Sequence, residues 1–186
     1  MSNLLLPDYI FSKFDDVTPE LLKSLGIRAL LIDIDNTLAP YEVAVPDERI
    51  KSWFALLREN SISATLVSNN NRERVETFNE GLGLPYYYKS GKPFAKNLKK
   101  AMAAMGSGKN DTAMLGDQLL TDAAAGKHIG LISMIVPPIN DKKNAFFRAK
   151  RALEVPVIER YVKKHGNADG RCDFWIKKKY KKKNRG

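Results

Sequence analysis

The chain has very little cysteine and no long apolar run, and both absences narrow its class. Cys172 is the only cysteine among 186 residues, so no internal disulfide can form, which fits a reducing compartment. No apolar stretch approaches the roughly 20 residues that a membrane-spanning helix needs. Leu4, Leu5 and Leu6 form an apolar segment too short for a signal peptide, and no basic residue precedes it. We therefore expect a cytoplasmic protein without a transmembrane segment.

Acidic charge is in the minority. The 31 Lys and Arg exceed the 21 Asp and Glu, for a net charge of +10, while 44% hydrophobic residues are typical of a globular protein. Residues 166–186 hold eight Lys or Arg and two Asp, a net +6, so most of the excess lies at the carboxyl end. We predict one domain over residues 1–165 and a basic, flexible tail over residues 166–186.

The tail has three interpretations that the sequence leaves open. Residues 177–183 are a run of six lysines around Tyr180, and such a run is often a solvated terminus. It also suits peripheral contact with an anionic membrane at its inner face, where Phe174 and Trp175 would fit the interface. Contact with RNA is the third interpretation, since aromatic side chains among basic ones can stack on bases.

The most informative feature is the motif Asp33-Ile-Asp35-Asn-Thr37, which follows a short, continuous apolar run at residues 29–32. Such a run predicts a strand buried on both faces of a parallel sheet. Side chains two residues apart along a strand point the same way, so both carboxylates can project into the crevice at its carboxyl end. Asp35 to Thr37 also suit an ordinary turn. A turn explains Asp33 poorly, because a buried ionisable group costs free energy unless it is paired or bound to a metal.

Three later apolar runs end in groups that suit a phosphate beside two carboxylates, which requires hydrogen-bond donors, a fixed positive charge and a hard cation. Ser68 ends the first, and its hydroxyl could donate to a phosphate oxygen. Lys92 ends the second, just before Pro93, which suits the first turn of a helix. Asp117 ends the third and would complete a set of oxygen ligands for magnesium. Asp122 could orient Lys92 or a metal-bound water.

Each of these residues also has a simpler interpretation. Ser68 suits the N-cap of a helix that starts near Arg72, and Lys92 suits a solvated surface. Asp117 and Asp122 suit the start of a helix, where negative charge is favourable. Their combination, in this order and each after its own strand, is much more specific than any one of them.

In these motifs the sequence resembles the haloacid dehalogenase (HAD) superfamily of phosphatases, over about residues 1–165. Its four motifs correspond to Asp33-Ile-Asp-Asn-Thr, Ser68, Lys92 and Gly116-Asp117 with Asp122. The opening Leu-Pro-Asp-Tyr at residues 6–9 and the Thr-Pro-Glu-Leu-Leu that begins at Thr18 resemble the YqeG-type class IIIA branch. The eukaryotic relatives of that branch include a mitochondrial phosphatidylglycerophosphate phosphatase.

The resemblance implies a role for each residue. Asp33 would be the nucleophile and Asp35 the general acid and base. Mg²⁺ would be held by Asp33, Asp35 and Asp117, with Asp122 in a supporting place. The substrate phosphate would be bound by Thr37, Ser68, Asn69 and Lys92.

The remaining patterns predict an α/β fold, a Rossmann-like parallel sheet of about five strands with helices on both faces. A helix is expected after Pro46, with its apolar stripe on Ile50, Trp53, Phe54 and Leu57. Thr18-Pro19 predicts another helix start. The last strand is expected at residues 130–136, followed by a helix over 141–164 that Pro156 interrupts.

The intervals between the motifs leave no room for a cap domain, so an open site is expected. An open site favours a large or membrane-presented substrate whose own bulk covers the reaction centre. We therefore predict a magnesium-dependent phosphomonoester hydrolase with a phospho-aspartate intermediate, acting on phosphatidylglycerophosphate or a related lipid phosphate. Alternatives are a nucleotide, nucleic-acid or protein phosphatase, or a non-catalytic RNA- or ribosome-binding protein that retains the fold.

Overall fold

Six parallel strands form one sheet in the computed structural model, which describes residues 3–140 and 145–176. The strand order is β1-β6-β5-β2-β3-β4. The strands are β1 Tyr9–Ile10, β2 Ala29–Ile32, β3 Ser63–Val67, β4 Tyr86–Tyr87, β5 Thr112–Gly116 and β6 Ile132–Ile135. The predicted parallel α/β sheet is confirmed, but the predicted number of five strands is wrong. The prediction omitted β1, a two-residue edge strand too short to leave a periodic pattern; it pairs with Met134 and Ile135.

Helices cover both faces of the sheet, as predicted. They are α1 Pro19–Ser24, α2 Glu48–Glu59, α3 Arg72–Asn79, α4 Lys96–Ala104, α5 Ala124–His128 and α6 Ala145–His165. Strand β2 is buried along its whole length, with Leu30 and Ile32 in the core under α1 to α3. Leu31 points to the opposite core, where it joins Leu98 of α4 and Ala125 of α5. This alternation explains why the strand is a continuous apolar run.

The two predicted helix starts are confirmed at the level of single hydrogen bonds. Thr18 caps α1 by accepting from the backbone N–H of Leu21, and Asp47 caps α2 by accepting from that of Ile50. The predicted stripe of α2 is buried against the sheet. Trp53 also donates its indole N–H to the carbonyl of Val17 at 3.0 Å.

No cap domain interrupts the catalytic motifs. Between Asp35 and Ser68 the chain forms only α2 and β3, and between Ser68 and Lys92 only α3 and β4. The residues before α2 form a turn-rich loop in which residues 41–45 are exposed. The carboxyl edge of the sheet therefore stays open in the part of the chain that the structure describes.

Helix α6 passes through Pro156 without a break, so the predicted interruption is wrong; residues 141–144 of that prediction lie outside the described residues. A proline inside a helix removes a hydrogen bond and costs about 3 kcal/mol. Tertiary packing offsets this, because Pro156 is exposed while residues on both sides of it share one buried face. That face is formed by Arg151, Glu154, Ile158 and Tyr161.

Packing continues past residue 165, where the flexible tail was predicted to begin. Cys172 and Trp175 are buried in a cluster with Ile10 of β1 and Ile158 of α6. Arg171 also donates to the carbonyl of Ile10 at 3.1 Å. The lysine run predicted to be flexible lies at residues 177–183, outside the described residues. Among the described helices, none combines the length and the apolar character needed to cross a bilayer.

Candidate active site

The predicted site residues meet at the carboxyl edge of the sheet. Asp33 follows β2, Ser68 follows β3, Lys92 lies on the loop after β4, and Asp117 follows β5. Because all the strands are parallel, these loops leave the same edge. A cavity of about 300 Å³ opens there, lined by Asp33, Asp35, Asn36, Tyr41, Ser68, Asn69, Asn70, Lys92, Gln118, Thr121, Asp122 and Lys150.

The loop after β2 makes a tight turn that presents Asp33 to the cavity. Asn36 adopts a φ of 66°, a left-handed conformation that Asn tolerates better than most residues, and its N–H donates to the carbonyl of Ala39 at 2.7 Å. The Thr37 hydroxyl is buried and donates to Asp33 Oδ2 at 3.2 Å. This hydrogen bond orients the carboxylate of Asp33, the candidate nucleophile. Its predicted contact with substrate stays a prediction.

Lys92 is a buried cation held between two carboxylates. Its Nζ lies 2.6 Å from Asp33 Oδ1 and 2.7 Å from Asp122 Oδ1, and it donates to the carbonyl of Val67 at 2.7 Å. Burial alone would lower the pKa of Lys92, but Asp122 and Asp33 outweigh it and raise that pKa, so the ammonium stays charged. Lys92 is therefore not a solvated surface lysine.

Asn69 fixes the loop that carries Lys92. Its side-chain N–H₂ donates to the Lys92 carbonyl at 2.8 Å, and its Oδ1 accepts from the Lys92 N–H at 2.9 Å and the Ser90 hydroxyl at 2.9 Å. This amide is predicted to bind substrate, but its side-chain groups are engaged with the protein. Pro93 was expected in the first turn of a helix; instead α4 begins at Lys96, so that expectation is wrong.

Asp117 is completely buried, and its two carboxylate oxygens differ in their contacts. Its Oδ2 lies 2.5 Å from Arg151 Nη2 of α6, and its backbone carbonyl accepts from Arg151 Nη1 at 2.9 Å. Among the residues that the structure describes, none donates a hydrogen bond to Asp117 Oδ1. Burial raises the pKa of Asp117 to about 7, although the guanidinium of Arg151 acts in the opposite direction. A buried carboxylate oxygen with no donor is a group that a cation would satisfy.

Three carboxylates converge around a point that suits a divalent cation. One oxygen from each of Asp33, Asp117 and Asp122 lies within 4.8 Å of the other two, and all three residues are buried. Burial raises the pKa of Asp33 well above its ordinary value. The charge of Asp122 also raises this pKa, and the charge of Lys92 lowers it. An all-carboxylate donor set fits a hard divalent metal ion. The predicted ligand set of Asp33, Asp35 and Asp117, with Asp122 in a supporting place, stays a prediction; the Asp35 carboxylate is not one of the three that converge here.

The Asp35 carboxylate faces other partners. Its Oδ1 accepts from Arg74 Nε at 3.1 Å, and its Oδ2 accepts from Asn70 Nδ2 at 3.1 Å. The Ser68 hydroxyl lies 3.5 Å from the same Oδ2 and accepts from the Asn70 N–H at 3.0 Å. Ser68 is therefore not the N-cap of α3; that place belongs to Asn71. Asp35 lines the cavity beside Asp33, and its role as general acid and base stays a prediction.

Asp122 packs directly against the end of β5. A Cβ atom on Gly116 would overlap its carboxyl group, so only glycine allows this approach. Asp122 Oδ2 accepts from the Gln118 N–H at 3.0 Å. The turn of π-helix at Leu119–Ala123 therefore carries Asp122 back over the strand that delivers Asp117. Its role as a support for Lys92, predicted from the sequence, matches its contact with Nζ.

Arg74 and Arg151 are site residues that the sequence reasoning missed. Arg74 lies on α3, where it pairs with Asp35 and donates to the Ala44 carbonyl at 3.1 Å. Arg151 lies 34 residues from Asp117 and is held by Glu154, whose Oε2 accepts from it at 2.9 Å. The only sequence signal for the pairing of Arg151 with Asp117 was that Arg151 and Glu154 are two charged residues on an otherwise apolar helix face. No signal in the sequence pointed to Arg74.

Comparison with known proteins agrees with this geometry. The sequence model of the haloacid dehalogenase-like hydrolase family matches residues 24–130 of this chain. The chain is 34% identical over 164 residues to Probable phosphatase YqeG of Bacillus subtilis, covering 88% of this chain and 95% of that protein. It is 26% identical over 156 residues to Phosphatidylglycerophosphate phosphatase 1, chloroplastic/mitochondrial, of Arabidopsis thaliana. That match covers 78% of this chain but 44% of the Arabidopsis protein.

A solved structure supports the fold. The cobalt-bound deoxy-D-mannose-octulosonate 8-phosphate phosphatase from Haemophilus influenzae gives a TM-score of 0.50 at 15% identity, over 74% of this chain and 90% of that chain. At this identity the likeness concerns the architecture alone. The family match and the similarity to the Bacillus phosphatase concern the activity as well as the fold. The chain therefore belongs to the haloacid dehalogenase-like hydrolases, as a phosphatase.

Proposed function

We propose that the protein is a magnesium-dependent phosphomonoester hydrolase that works through a phospho-aspartate intermediate. The observation that carries the proposal is the buried carboxylate of Asp33. It faces the open cavity, pairs with the Lys92 ammonium and belongs to the acidic cluster. A carboxylate in this place can act as a nucleophile on a phosphate that enters the cavity. The cluster of Asp33, Asp117 and Asp122 would hold the metal ion.

The chain's own groups account for the steps of the reaction. Asp33 attacks phosphorus in line while Lys92 and the Ser68 hydroxyl bind the phosphate oxygens. Asp35 protonates the leaving oxygen and then takes a proton from the water that hydrolyses the acyl phosphate. A bound Mg²⁺ supplies positive charge that lets a dianionic phosphate approach two carboxylates. Magnesium is proposed over softer metals because the donors in the cluster are all carboxylate oxygens.

For the substrate we propose phosphatidylglycerophosphate or a related lipid phosphate. The Arabidopsis relative bears the name of such an enzyme, and the open cavity without a cap suits a phosphate carried on a large group. A nucleotide, a nucleic-acid end or a phosphoprotein would fit the same opening. The lysine run at residues 177–183 is the observation that favours a non-catalytic RNA- or ribosome-binding role as the second candidate.

A screen of phosphate release tests the proposal. Lipid phosphates, sugar phosphates, nucleotides and phosphorylated oligonucleotides would be compared in the presence of MgCl₂ and of EDTA. Asp33→Asn should abolish release of phosphate, and Asp169→Asn, the same change at an exposed aspartate, should not. Activity of the Asp33 variant within a few-fold of wild type would show that Asp33 is not the nucleophile. Release from nucleotides alone would overturn the lipid substrate.

A further inference from the structure

Most of the large apolar side chains that the described residues expose lie on one edge of the molecule. Six of nine occupy loops that leave the carboxyl ends of β2, β4 and β6. We call them the apolar rim: Tyr41, Val43, Val45, Tyr88, Phe94 and Ile139. The parallel sheet brings these loops to the edge that also holds the catalytic cavity.

Several contacts place the apolar rim around the cavity opening. Tyr41 lines the cavity itself, and Val43 and Ile139 line a second cavity of about 380 Å³ across the 36–41 loop. The Ile139 N–H donates to the carbonyl of Asn36, which also lines the catalytic cavity, at 3.0 Å. Phe94 follows Lys92 by two residues in a turn closed by its N–H on the Gly91 carbonyl. Whatever presents a phosphate to this opening therefore meets the apolar rim.

Two members of the apolar rim are exposed to a degree unusual for large apolar side chains. Phe94 is 78% exposed and Ile139 is 51% exposed. Clustered apolar exposure of this kind marks a binding surface, whereas single exposed residues need no explanation. Residues 41–45 form one exposed stretch with Glu42 as its single charge.

We propose that the apolar rim lies against the interface of an anionic lipid bilayer, so that a phosphate headgroup enters the cavity while its acyl chains stay in the membrane. The inference rests on the proposed lipid-phosphate substrate. Tyr and Phe beside aliphatic residues are the side chains that favour the headgroup region. Exposed Lys89 stands in the loop between Tyr88 and Phe94, and its positive charge complements anionic lipid.

A bilayer fits these loops better than a protein partner does. The three loops leave the edge of the sheet that holds the cavity, and no cap encloses a whole substrate there in the described part of the chain. A surface that rests on the interface would bring the headgroup of a lipid phosphate to the cavity without extracting the lipid from the membrane.

The test compares wild type with the double variant Phe94→Ser and Ile139→Ser, at positions that do not line the catalytic cavity. The matched control is Leu56→Ser with Leu153→Ser, which removes two exposed apolar side chains on α2 and α6. Binding to vesicles of phosphatidylcholine with phosphatidylglycerol is measured by sedimentation at low and high salt. High salt suppresses the contribution of charge but not that of apolar contact.

The rim variant should bind vesicles about tenfold more weakly than wild type at high salt, and the control variant should bind like wild type. Turnover of soluble 4-nitrophenyl phosphate should change less than about twofold in both. Equal binding by the two variants, or no vesicle binding by wild type, would overturn the inference. A wild-type dimer that the rim variant makes monomeric, without vesicle binding, would show that the apolar rim covers a second copy.

The outcome is separable from that of the proposed function. Vesicle binding is measured without turnover, so a protein that binds through the apolar rim but releases phosphate from no substrate would refute the enzyme proposal alone. Release of phosphate from lipid in detergent micelles, together with failure to bind vesicles, would refute the apolar rim alone.

Discussion

The buried charges of the site determine which substitutions can separate an effect on activity from an effect on stability. Lys92 lies between Asp33 and Asp122, and removing one partner from such a group leaves an uncompensated buried charge. A substitution at Lys92 would therefore lower stability as well as activity, and the two effects would be hard to separate. Arg74 is more informative because it touches Asp35 near the cavity wall, away from the acidic cluster.

Arg74→Gln should impair the acid step selectively. Because Arg74 holds the Asp35 carboxylate, its loss should lower kcat/KM for an alkyl phosphate by about tenfold to a hundredfold. An aryl phosphate such as 4-nitrophenyl phosphate should lose much less, since its leaving group needs no proton. The control is Arg72→Gln, which breaks only a surface ion pair with Glu76. Equal losses on both substrates would indicate a structural role for Arg74.

The raised pKa of Asp117 predicts how metal stabilises the protein at different pH. Without metal this pKa is about 7 in the folded state against an ordinary 3.8, so the folded state gains stability from the bound proton at acid pH. That gain disappears as pH rises through about 7. A cation replaces the proton, so MgCl₂ should raise Tm more at about pH 8 than at about pH 6.

Thermal melts in EDTA and in excess MgCl₂ measure this difference. In Asp117→Asn the increase caused by MgCl₂ should be small at both pH values, because the variant lacks one carboxylate of the cluster. An increase in wild type that is the same at both values, or larger at the acid one, would contradict the linkage to Asp117.

At the scale of elements, α6 and the segment behind it support the acidic cluster that we propose as the metal site. Glu154 Oε1 accepts from the Leu119 N–H at 2.9 Å, and its Oε2 accepts from Arg151 and from the Trp175 indole at 3.2 Å. Arg151 in turn holds Asp117. A chain of buried polar contacts thus links the end of the described polypeptide to the acidic cluster.

Trp175→Phe should weaken this support. The indole is replaced by a smaller phenyl ring and its N–H is lost, so we expect a decrease of about 2 to 3 kcal/mol in the free energy of unfolding by urea. The metal concentration for half activity should also rise. Trp53→Phe removes a similar hydrogen bond to Val17 under the opposite face of the sheet. That control should lose similar stability and keep its metal affinity; a matching loss of metal affinity would refute the specific role of Trp175.

At the scale of the whole molecule, the described packing reaches Ile176, and the lysine run begins at the next residue. Deletion of residues 177–186, which carry seven Lys or Arg and no acidic residue, should leave Tm nearly unchanged. It should remove the salt-sensitive part of binding to anionic vesicles or to RNA. Deletion of residues 171–186 should lower Tm by several degrees, because it also removes buried Cys172 and Trp175.

Melting curves and salt titrations of the two truncated proteins check this division. If removing residues 177–186 alone lowers Tm as much as the longer deletion, the stabilising contacts extend beyond Trp175. Retained affinity for RNA with a lost affinity for vesicles would favour the membrane interpretation of the lysine run, and the reverse would favour RNA.

The sequence by itself determined the parallel α/β architecture, the absence of a cap and the residues that meet at the carboxyl edge. These features depend on local patterns: a buried strand is an apolar run, a half-buried helix repeats every 3.6 residues, and a loop after a strand starts with its polar residues. Asp33, Ser68, Lys92 and Asp117 could be named because each directly follows such a run or the turn beyond it. The spacing between them excluded an inserted domain.

Only the tertiary structure decided which charges face one another. Arg74 reaches Asp35 across 39 residues, and the Asp122 carboxylate joins those of Asp33 and Asp117. The continuation of α6 through Pro156 and the burial of Trp175 likewise depend on surfaces supplied by distant segments. The physical reason is that the pairing of buried charges follows from loop geometry and long-range packing, which overrides local preference and leaves no periodic trace in the chain.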